Sequence, residues 1–223
     1  MAAAAKSFYK FLTTLNPDLD LESGISVINP YHQSEVKKVL KQFCDTYYGE
    51  NKTRILILGI NPGRFGAGVT GIPFTDPVEL EQKCGIANSF QKKQELSSRF
   101  IYEMITAFGG AEKFYNRFLL SAVCPLGFLQ GTTNYNYYDS TALLKKSGDF
   151  IRMSLQEQAS WNISKSVVIS LGKKNASCLE AFNNELKIFE KVITFEHPRY
   201  IMQYKLKSKS KFIESYCDVL NQF

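Results

Sequence analysis

Four short apolar runs, separated by stretches of helical periodicity, constrain the fold of this chain more than any other feature of its sequence. The runs cover residues 55–60 (ILILGI), 118–123 (FLLSAV), 166–171 (SVVISL) and 191–195 (KVITF). Each is rich in leucine or β-branched residues and is bounded by glycine, proline or a charged residue, which is typical of a strand buried on both faces. They therefore predict four strands of a parallel sheet.

The stretches between the runs predict helices. In residues 34–48, one apolar stripe contains Val36, Val39, Leu40, Phe43 and Cys44. Ser34 is predicted to cap this helix. Further helices are predicted over residues 100–108, 140–161, 175–186 and 211–223. Alternating strands and helices imply right-handed crossovers and a sheet covered on both faces. We therefore predict a single α/β domain over residues 1–223, a three-layer sandwich with a central four-stranded parallel sheet flanked by helices.

Composition supports a globular protein and gives only a weak indication of its partners. A chain of 223 residues, 44% of them hydrophobic, can bury roughly 70% of the surface that its unfolded form exposes. The net charge of +6 is compatible with a polyanionic partner but does not establish one. The five cysteines form no C-x-x-C pair, so we expect neither a metal site nor another cofactor. No run approaches the roughly 18 apolar residues of a membrane helix, and no signal-peptide pattern opens the chain. We expect a soluble, cytoplasmic protein.

Polar residues directly follow all four runs. The first run leads into Asn61-Pro-Gly-Arg-Phe-Gly, the second into Cys124-Pro-Leu-Gly, the third into Gly172-Lys-Lys and the fourth into Glu196-His197-Pro-Arg. Ligands of open parallel sheets bind beyond the carboxyl ends of the strands. These residues are therefore predicted to converge on one rim. The glycines after the first run do not make a phosphate loop, because neither G-K-[ST] nor G-x-G-x-x-G is present. Taken alone, Asn61 would more often be a structural loop cap.

Four motifs in order give a more specific prediction. They are Gly59-Ile60-Asn61-Pro62-Gly63, Thr70-Gly71-Ile72-Pro73-Phe74, Cys124-Pro125-Leu126 and His197-Pro198. This set resembles the motifs of the single-strand-selective monofunctional uracil-DNA glycosylases, a family of the uracil-DNA glycosylase superfamily. The resemblance spans roughly residues 54 to 205 and indicates a divergent, bacterial-type branch, which would act on the DNA of the nucleoid.

The resemblance implies hydrolysis of the N-glycosidic bond of uracil in DNA, leaving an abasic site for base excision repair. It implies that Asn61 positions the attacking water and that His197 donates a hydrogen bond to the oxyanion that develops on the leaving base. Phe74 would stack on the extruded base and Gly63 would lie beside its edge. The remaining predicted residues of the base pocket are Ile60, Ser121 and Ala122. Because no lysine lies in the four motifs, we expect no lyase activity.

The sequence departs from the family at the position that reads the base. An asparagine normally precedes the C-P-L motif by two positions, where this chain has Ala122. Either Ser121, a backbone group or Asn134 replaces its amide, or the pocket is less selective. We therefore expect uracil and also hypoxanthine and xanthine as substrates. Ile60 replaces the motif methionine, and Arg64 stands where a proline is usual.

DNA contacts are predicted after the fourth run and after the third. Residues 199–204 follow the histidine as the family's intercalating loop does, although a turn into a final helix fits this stretch equally well. The predicted DNA-binding residues are Lys173, Arg199, Tyr200, Ile201, Met202 and Lys205. Lys205 opens the lysine run of residues 205–211, which would otherwise be a solvated loop. We expect a monomer that binds DNA. The alternatives are a non-catalytic module for damaged or single-stranded DNA and a hydrolase of free nucleosides or nucleotides.

Overall fold

The computed structural model describes residues 3–223, which contain seven strands and ten α-helices. The strands are β1 (Ile25–Ile28), β2 (Arg54–Gly59), β3 (Phe118–Ala122), β4 (Gly127–Gln130), β5 (Thr133–Tyr135), β6 (Ile163–Leu171) and β7 (Val192–Phe195). The longer helices are α1 (Ala3–Thr14), α2 (Ser34–Tyr47), α5 (Leu96–Phe108), α7 (Thr141–Ala159), α8 (Lys173–Leu186) and α10 (Lys209–Leu220). The shorter ones are α3 (Ala67–Thr70), α4 (Pro77–Gln82), α6 (Ala111–Tyr115) and α9 (Pro198–Tyr204).

The central sheet has four parallel strands in the order β3-β2-β6-β7. Each of the four apolar runs forms one of these strands, and helices flank the sheet, so the predicted α/β architecture is confirmed. The order places β2 between β3 and β6, with Gly59 paired to Ala122 at the carboxyl end. Backbone hydrogen bonds from Val123 to Gly59 and from Cys124 to Ile60 continue this pairing past the strands. The carboxyl ends therefore form a continuous rim.

A second sheet of three antiparallel strands, ordered β1-β4-β5, was not predicted. Its strands are three or four residues long, too short to show an alternating pattern. It packs closely against the loop that follows β2. A Cβ atom added at Gly127 would clash with the carbonyl oxygen of Pro62 and come within 3.1 Å of Ile28 Cβ. Because glycine leaves this space open, β4 and β5 approach the loop that carries Asn61.

The helix boundaries differ from the sequence prediction in several places. Gln33, not Ser34, is the N-cap of α2, so the predicted cap is wrong, and no side chain satisfies that helix start. Ser140 does cap α7 by accepting a hydrogen bond from Leu143 N at 3.0 Å. Helix α1 was not predicted. It is held by Phe8 and Phe11, whose rings lie 5.4 and 5.3 Å from that of Trp161. None of the helices in residues 3–223 is long and apolar enough to cross a membrane.

Candidate active site

The carboxyl ends of all four parallel strands open into one cavity of about 390 Å³. Asn61 follows β2, Ala122 ends β3, Gly172 follows β6 and His197 follows β7, and all four line the cavity. This volume is within the usual range for a small-molecule site. The four polar segments that follow the apolar runs therefore meet at one place.

Both ends of the Asn61 side-chain amide bind the segment after β5. Its Nδ2 donates to the carbonyl oxygen of Tyr135 at 3.3 Å, and its Oδ1 accepts from the backbone N–H of Tyr137 at 3.2 Å. These partners fix which end of the amide is oxygen. An amide oxygen accepts two hydrogen bonds, so Oδ1 keeps one lone pair for a ligand or a water molecule.

A buried side chain anchors the segment that holds Asn61. The hydroxyl of Tyr137 donates to Asn175 Oδ1 at 2.9 Å. Asn175 Nδ2 in turn lies 3.2 and 3.1 Å from the carbonyl oxygens of Leu58 and Gly59 at the end of β2. Asn175 is fully buried on helix α8. It therefore ties the loop after β5 to the strand from which Asn61 extends.

His197 is the N-cap of helix α9, and its hydrogen bond defines its tautomer. The backbone N–H of Arg199 donates to His197 Nδ1 at 3.1 Å, so Nδ1 carries no proton and the neutral ring carries its hydrogen on Nε2. Burial lowers the pKa of His197 to about 4, and the positive charge of Arg199 contributes to the decrease. The imidazole is therefore a neutral hydrogen-bond donor at physiological pH. A Cβ atom at Gly172 would lie 3.3 Å from His197 Cβ.

Phe74 lies over the end of β2. An added Cβ at Gly59 would be 2.5 and 2.6 Å from atoms Cζ and Cε2 of its ring, so the strand ends in glycine where the ring needs space. The Phe74 ring centroid is 6.4 Å from that of His197. Phe74 has φ of 54°, a left-handed conformation that costs a bulky residue about 1–3 kcal/mol. The turn is held by Thr70, which donates to Thr75 O at 2.6 Å and accepts from Ile72 N at 3.1 Å.

The remaining residues of the predicted base pocket line the same cavity. They are Ile60, Gly63, Ser121 and Ala122. Ala122 presents only a methyl group, and its carbonyl oxygen accepts a hydrogen bond from Gln158 Nε2 at 3.1 Å behind the sheet. Asn134 also lines the cavity, and its Oδ1 accepts from Arg64 N at 3.1 Å, which leaves its Nδ2 available.

The stretch after His197 is a helix, not the intercalating loop that the resemblance implied. Ile201 and Met202 are 0% and 7% exposed, so both side chains face the core from α9 and offer no surface for the predicted DNA contact. Tyr200 and Tyr204 point outward, with 40% and 71% of their surfaces exposed and their ring centroids 5.5 Å apart. The i and i+4 spacing on a helix, rather than a loop, places these two aromatic rings together at the mouth of the cavity.

Two of the predicted basic residues, Lys173 and Arg199, line the cavity. Lys173 Nζ lies 2.6 Å from Glu196 Oε1. Lys205 is exposed but does not line the cavity. Within the lysine run, Lys209 pairs with Glu103 on α5 instead of remaining free for a phosphate group.

Glu95 is a cavity residue that sequence reasoning missed. It immediately precedes α5, and along the chain it is far from any strand end or motif. Burial, together with the smaller effect of the Asp76 charge, raises the pKa of its carboxyl group to about 7, against the opposing charge of Arg199. Only the cluster of polar residues in residues 88–95 could have drawn attention to this segment, and nothing in that pattern singles out Glu95.

The fold, with an asparagine and a neutral histidine at one strand-end cavity, is that of a nucleobase-releasing hydrolase, and the family comparison agrees. The model of the Uracil DNA glycosylase superfamily matches residues 46–221. The chain therefore belongs to that superfamily, and it is a uracil-DNA glycosylase.

Among solved structures, the chain is similar to wild-type SMUG2 of Pedobacter heparinus. The two share 42% sequence identity with a TM-score of 0.95, over 100% of this chain and 98% of the other. This likeness confirms the family that the four motifs predicted. A search of curated proteins gives no match.

Proposed function

We propose that this glycosylase extrudes a deaminated base from DNA into the strand-end cavity and hydrolyses its N-glycosidic bond with Asn61 and His197. The observation that carries the proposal is their placement: both line one cavity, and the Phe74 ring lies within 6.4 Å of the imidazole. A planar base that stacks on Phe74 would have the imidazole beside it. Base–aromatic stacking contributes about 1–3 kcal/mol, which offsets part of the cost of removing the base from the helical stack.

Asn61 positions the attacking water. A glycosidic bond that breaks dissociatively gives an oxocarbenium-like sugar, so the water needs orientation more than deprotonation. The lone pair that Asn61 Oδ1 keeps beyond its bond to Tyr137 N can accept a hydrogen from that water. The bond to Tyr135 O prevents the amide from rotating to present Nδ2 instead.

His197 stabilises the negative charge that develops on the leaving base. Its neutral ring directs Nε2–H away from the helix that Nδ1 caps. One well-placed donor to a developing oxyanion lowers the activation barrier by about 3–4 kcal/mol. The low pKa of His197 is consistent with this arrangement, because only the neutral ring can accept from Arg199 N at Nδ1 while it donates from Nε2.

The pocket accepts uracil and also hypoxanthine and xanthine. The methyl group of Ala122 leaves space where a side-chain amide would approach the base, and a purine needs more space than a pyrimidine. Single-turnover assays on oligonucleotides that carry each lesion test this, and cleavage of uracil alone would contradict it.

No strand cleavage accompanies base release. Lys173 is paired with Glu196, which raises the pKa of the Lys173 amine and disfavours the neutral form that a Schiff base requires.

DNA lies across the cavity mouth along α9. Arg199 and Lys173 are placed to contact phosphate groups, and the exposed Tyr200–Tyr204 pair is placed to stack on bases next to the extruded one. Lys205, at the end of α9, extends this basic surface.

The decisive experiment is Asn61→Ala. We expect a decrease of about 10²–10³ in the single-turnover rate on uracil-containing DNA, with affinity for the same DNA nearly unchanged. Asn116→Ala, at the end of α6 and outside the cavity, is the matched control and keeps full activity. Equal activity of Asn61→Ala and wild type would contradict the proposal. Turnover of free deoxyuridine as fast as that of DNA would instead indicate a nucleoside hydrolase.

A further inference from the structure

The carboxyl group of Glu95 packs against the loop that follows Asn61. A Cβ atom added at Gly63 would be 2.5 Å from Glu95 Oε1, and one added at Gly66 would overlap Oε2. The carboxyl group therefore fills the space that two side chains of the loop would otherwise occupy. This places it on the cavity wall next to the loop that carries the water-positioning asparagine.

Glu95 has an unusual side chain for its position in the fold. It is the N-cap of α5, where a carboxylate would ordinarily accept hydrogen bonds from the first turn of the helix. Its side chain makes no such bond. Its backbone N–H donates to Asp76 Oδ2 at 2.8 Å, which fixes the start of the helix instead. The carboxyl group is thereby free to turn toward the cavity.

Within residues 3–223, no side chain or backbone group forms a hydrogen bond or an ion pair with the Glu95 carboxyl group. Its side chain is only partly buried and lines the cavity, so the carboxyl oxygens remain accessible to a ligand there. The Asn61 amide, in contrast, is bound at both ends, and Asn134 is bound at its oxygen. The Glu95 carboxyl group is therefore available to hydrogen-bond a ligand in the cavity.

We propose that Glu95 recognises the extruded base by hydrogen-bonding its edge, in place of an amide at Ala122. This inference rests on the proposed glycosylase function and adds the group that holds the base during hydrolysis. Deaminated bases share an O=C–N–H edge. A protonated carboxyl group carries a donor and an acceptor side by side, as an amide does. It can therefore donate to the carbonyl oxygen of that edge and accept from its N–H.

The charge state of Glu95 near neutral pH suits this role. Burial raises the pKa of Glu95 to about 7. Asp76, the N-cap of α4, raises this pKa, and Arg199 on α9 lowers it. Arg64, on the loop, binds Thr132 O. Glu79 and Glu81 on α4 and Arg99 and Glu103 on α5 are the other charged residues of the neighbouring helices. Above this pKa the ionised carboxylate loses its donor and faces the carbonyl oxygen of the base. Recognition therefore weakens as the pH rises from 6 to 8.

The test compares DNA binding in an Asn61→Ala background, where turnover does not interfere. The measured quantity is the preference for a uracil-containing oligonucleotide over one with a tetrahydrofuran abasic analogue, because their affinity ratio isolates contacts to the base. We expect Glu95→Ala to reduce this preference about 10-fold. Glu95→Gln, a permanent donor and acceptor, is expected to keep it within about 3-fold and to remove its decrease between pH 6 and 8. Glu180→Ala, an exposed carboxylate on α8, is the matched control.

Three outcomes would overturn the inference. If Glu95→Ala and Glu95→Gln leave the preference unchanged but abolish turnover in the Asn61-containing enzyme, the carboxylate acts on the water instead. If neither binding nor turnover changes, the residue is a spectator. If Glu95→Ala does not fold, Glu95→Gln alone still tests the inference. A preference for uracil-containing DNA that decreases from pH 6 to 8 in Glu95→Gln would also overturn the inference. Failure of the proposed function is distinguishable, because Asn61→Ala would then release uracil as fast as the wild-type protein.

Discussion

The backbone N–H of Tyr137 donates a hydrogen bond to Oδ1 of Asn61 across 3.2 Å, between residues 76 positions apart. The same Tyr137 is held by Asn175 through its hydroxyl group. The orientation of the proposed water-positioning amide thus depends on a buried side chain that does not line the cavity. We therefore predict that Asn175 acts as a positioning residue.

Asn175→Ala is expected to reduce kcat about 10-fold with little change in KM, because Asn61 stays in place but loses its fixed orientation. The variant also leaves the Tyr137 hydroxyl without its acceptor, which lowers the free energy of unfolding by about 1–3 kcal/mol. Steady-state kinetics and urea unfolding measure the two effects. Asn183→Ala is the control. Asn183 lies on the same helix as Asn175, but it binds Ile188 N, Phe189 N and Phe189 O, away from the cavity. An equal decrease in kcat for the control would show that lost stability alone explains the result.

His197 is expected to titrate with a pKa near 4 instead of its usual 6.5. The unfolded chain then binds more protons than the folded one between these values, so this residue's contribution to stability is present above pH 6.5 and is lost as the pH falls toward 4. NMR titration of the imidazole carbons measures the midpoint. The chain has two histidines, and His197→Gln assigns the signal. A midpoint near 6.5 would remove the neutral-donor role.

Gly59→Ala is expected to displace the Phe74 ring, because the new Cβ would lie 2.5 Å from ring atom Cζ. Overpacking of this kind costs about 1–3 kcal/mol of stability, and the loss of base stacking reduces kcat/KM by about 10-fold or more. Gly148→Ala is the matched control. It adds a methyl group within α7, where only the flexible end of Arg152 is near, and is expected to leave activity unchanged. Wild-type kcat/KM in Gly59→Ala would show that Phe74 does not hold the base.

Tyr204→Ala and Lys205→Ala are expected to weaken DNA binding in different ways. Loss of the exposed aromatic ring reduces affinity about 5-fold or more at every salt concentration. Loss of the lysine lowers the slope of log K against log salt concentration by about 1. Lys191→Ala, just before β7 and so at the opposite end of that strand, is the control and keeps the slope. Fluorescence anisotropy at several salt concentrations separates the effects, and an unchanged slope in Lys205→Ala would place the DNA elsewhere.

The central sheet and the positions of Asn61 and His197 at strand ends were predictable from local sequence, whereas their proposed roles came from the resemblance to a known family. A strand buried on both faces needs a continuous apolar run, and the carboxyl ends of parallel strands must share a rim. Asn61 and His197 follow two such runs directly. The strand order then brings them to one cavity whatever the length of the intervening chain.

Other features depend on contacts between distant segments, which no local pattern reveals. Glu95 reaches the cavity only because Gly63 and Gly66 leave space for its carboxyl group. Tertiary packing also determines whether the residues after His197 form a loop or a helix. Burial of Ile201 and Met202 against the core stabilises seven residues as α9, a length that is marginal for an isolated helix. Sequence determines which groups stand at a strand end, because that follows from periodicity. Packing determines which other groups join them, because it requires the whole chain to be folded.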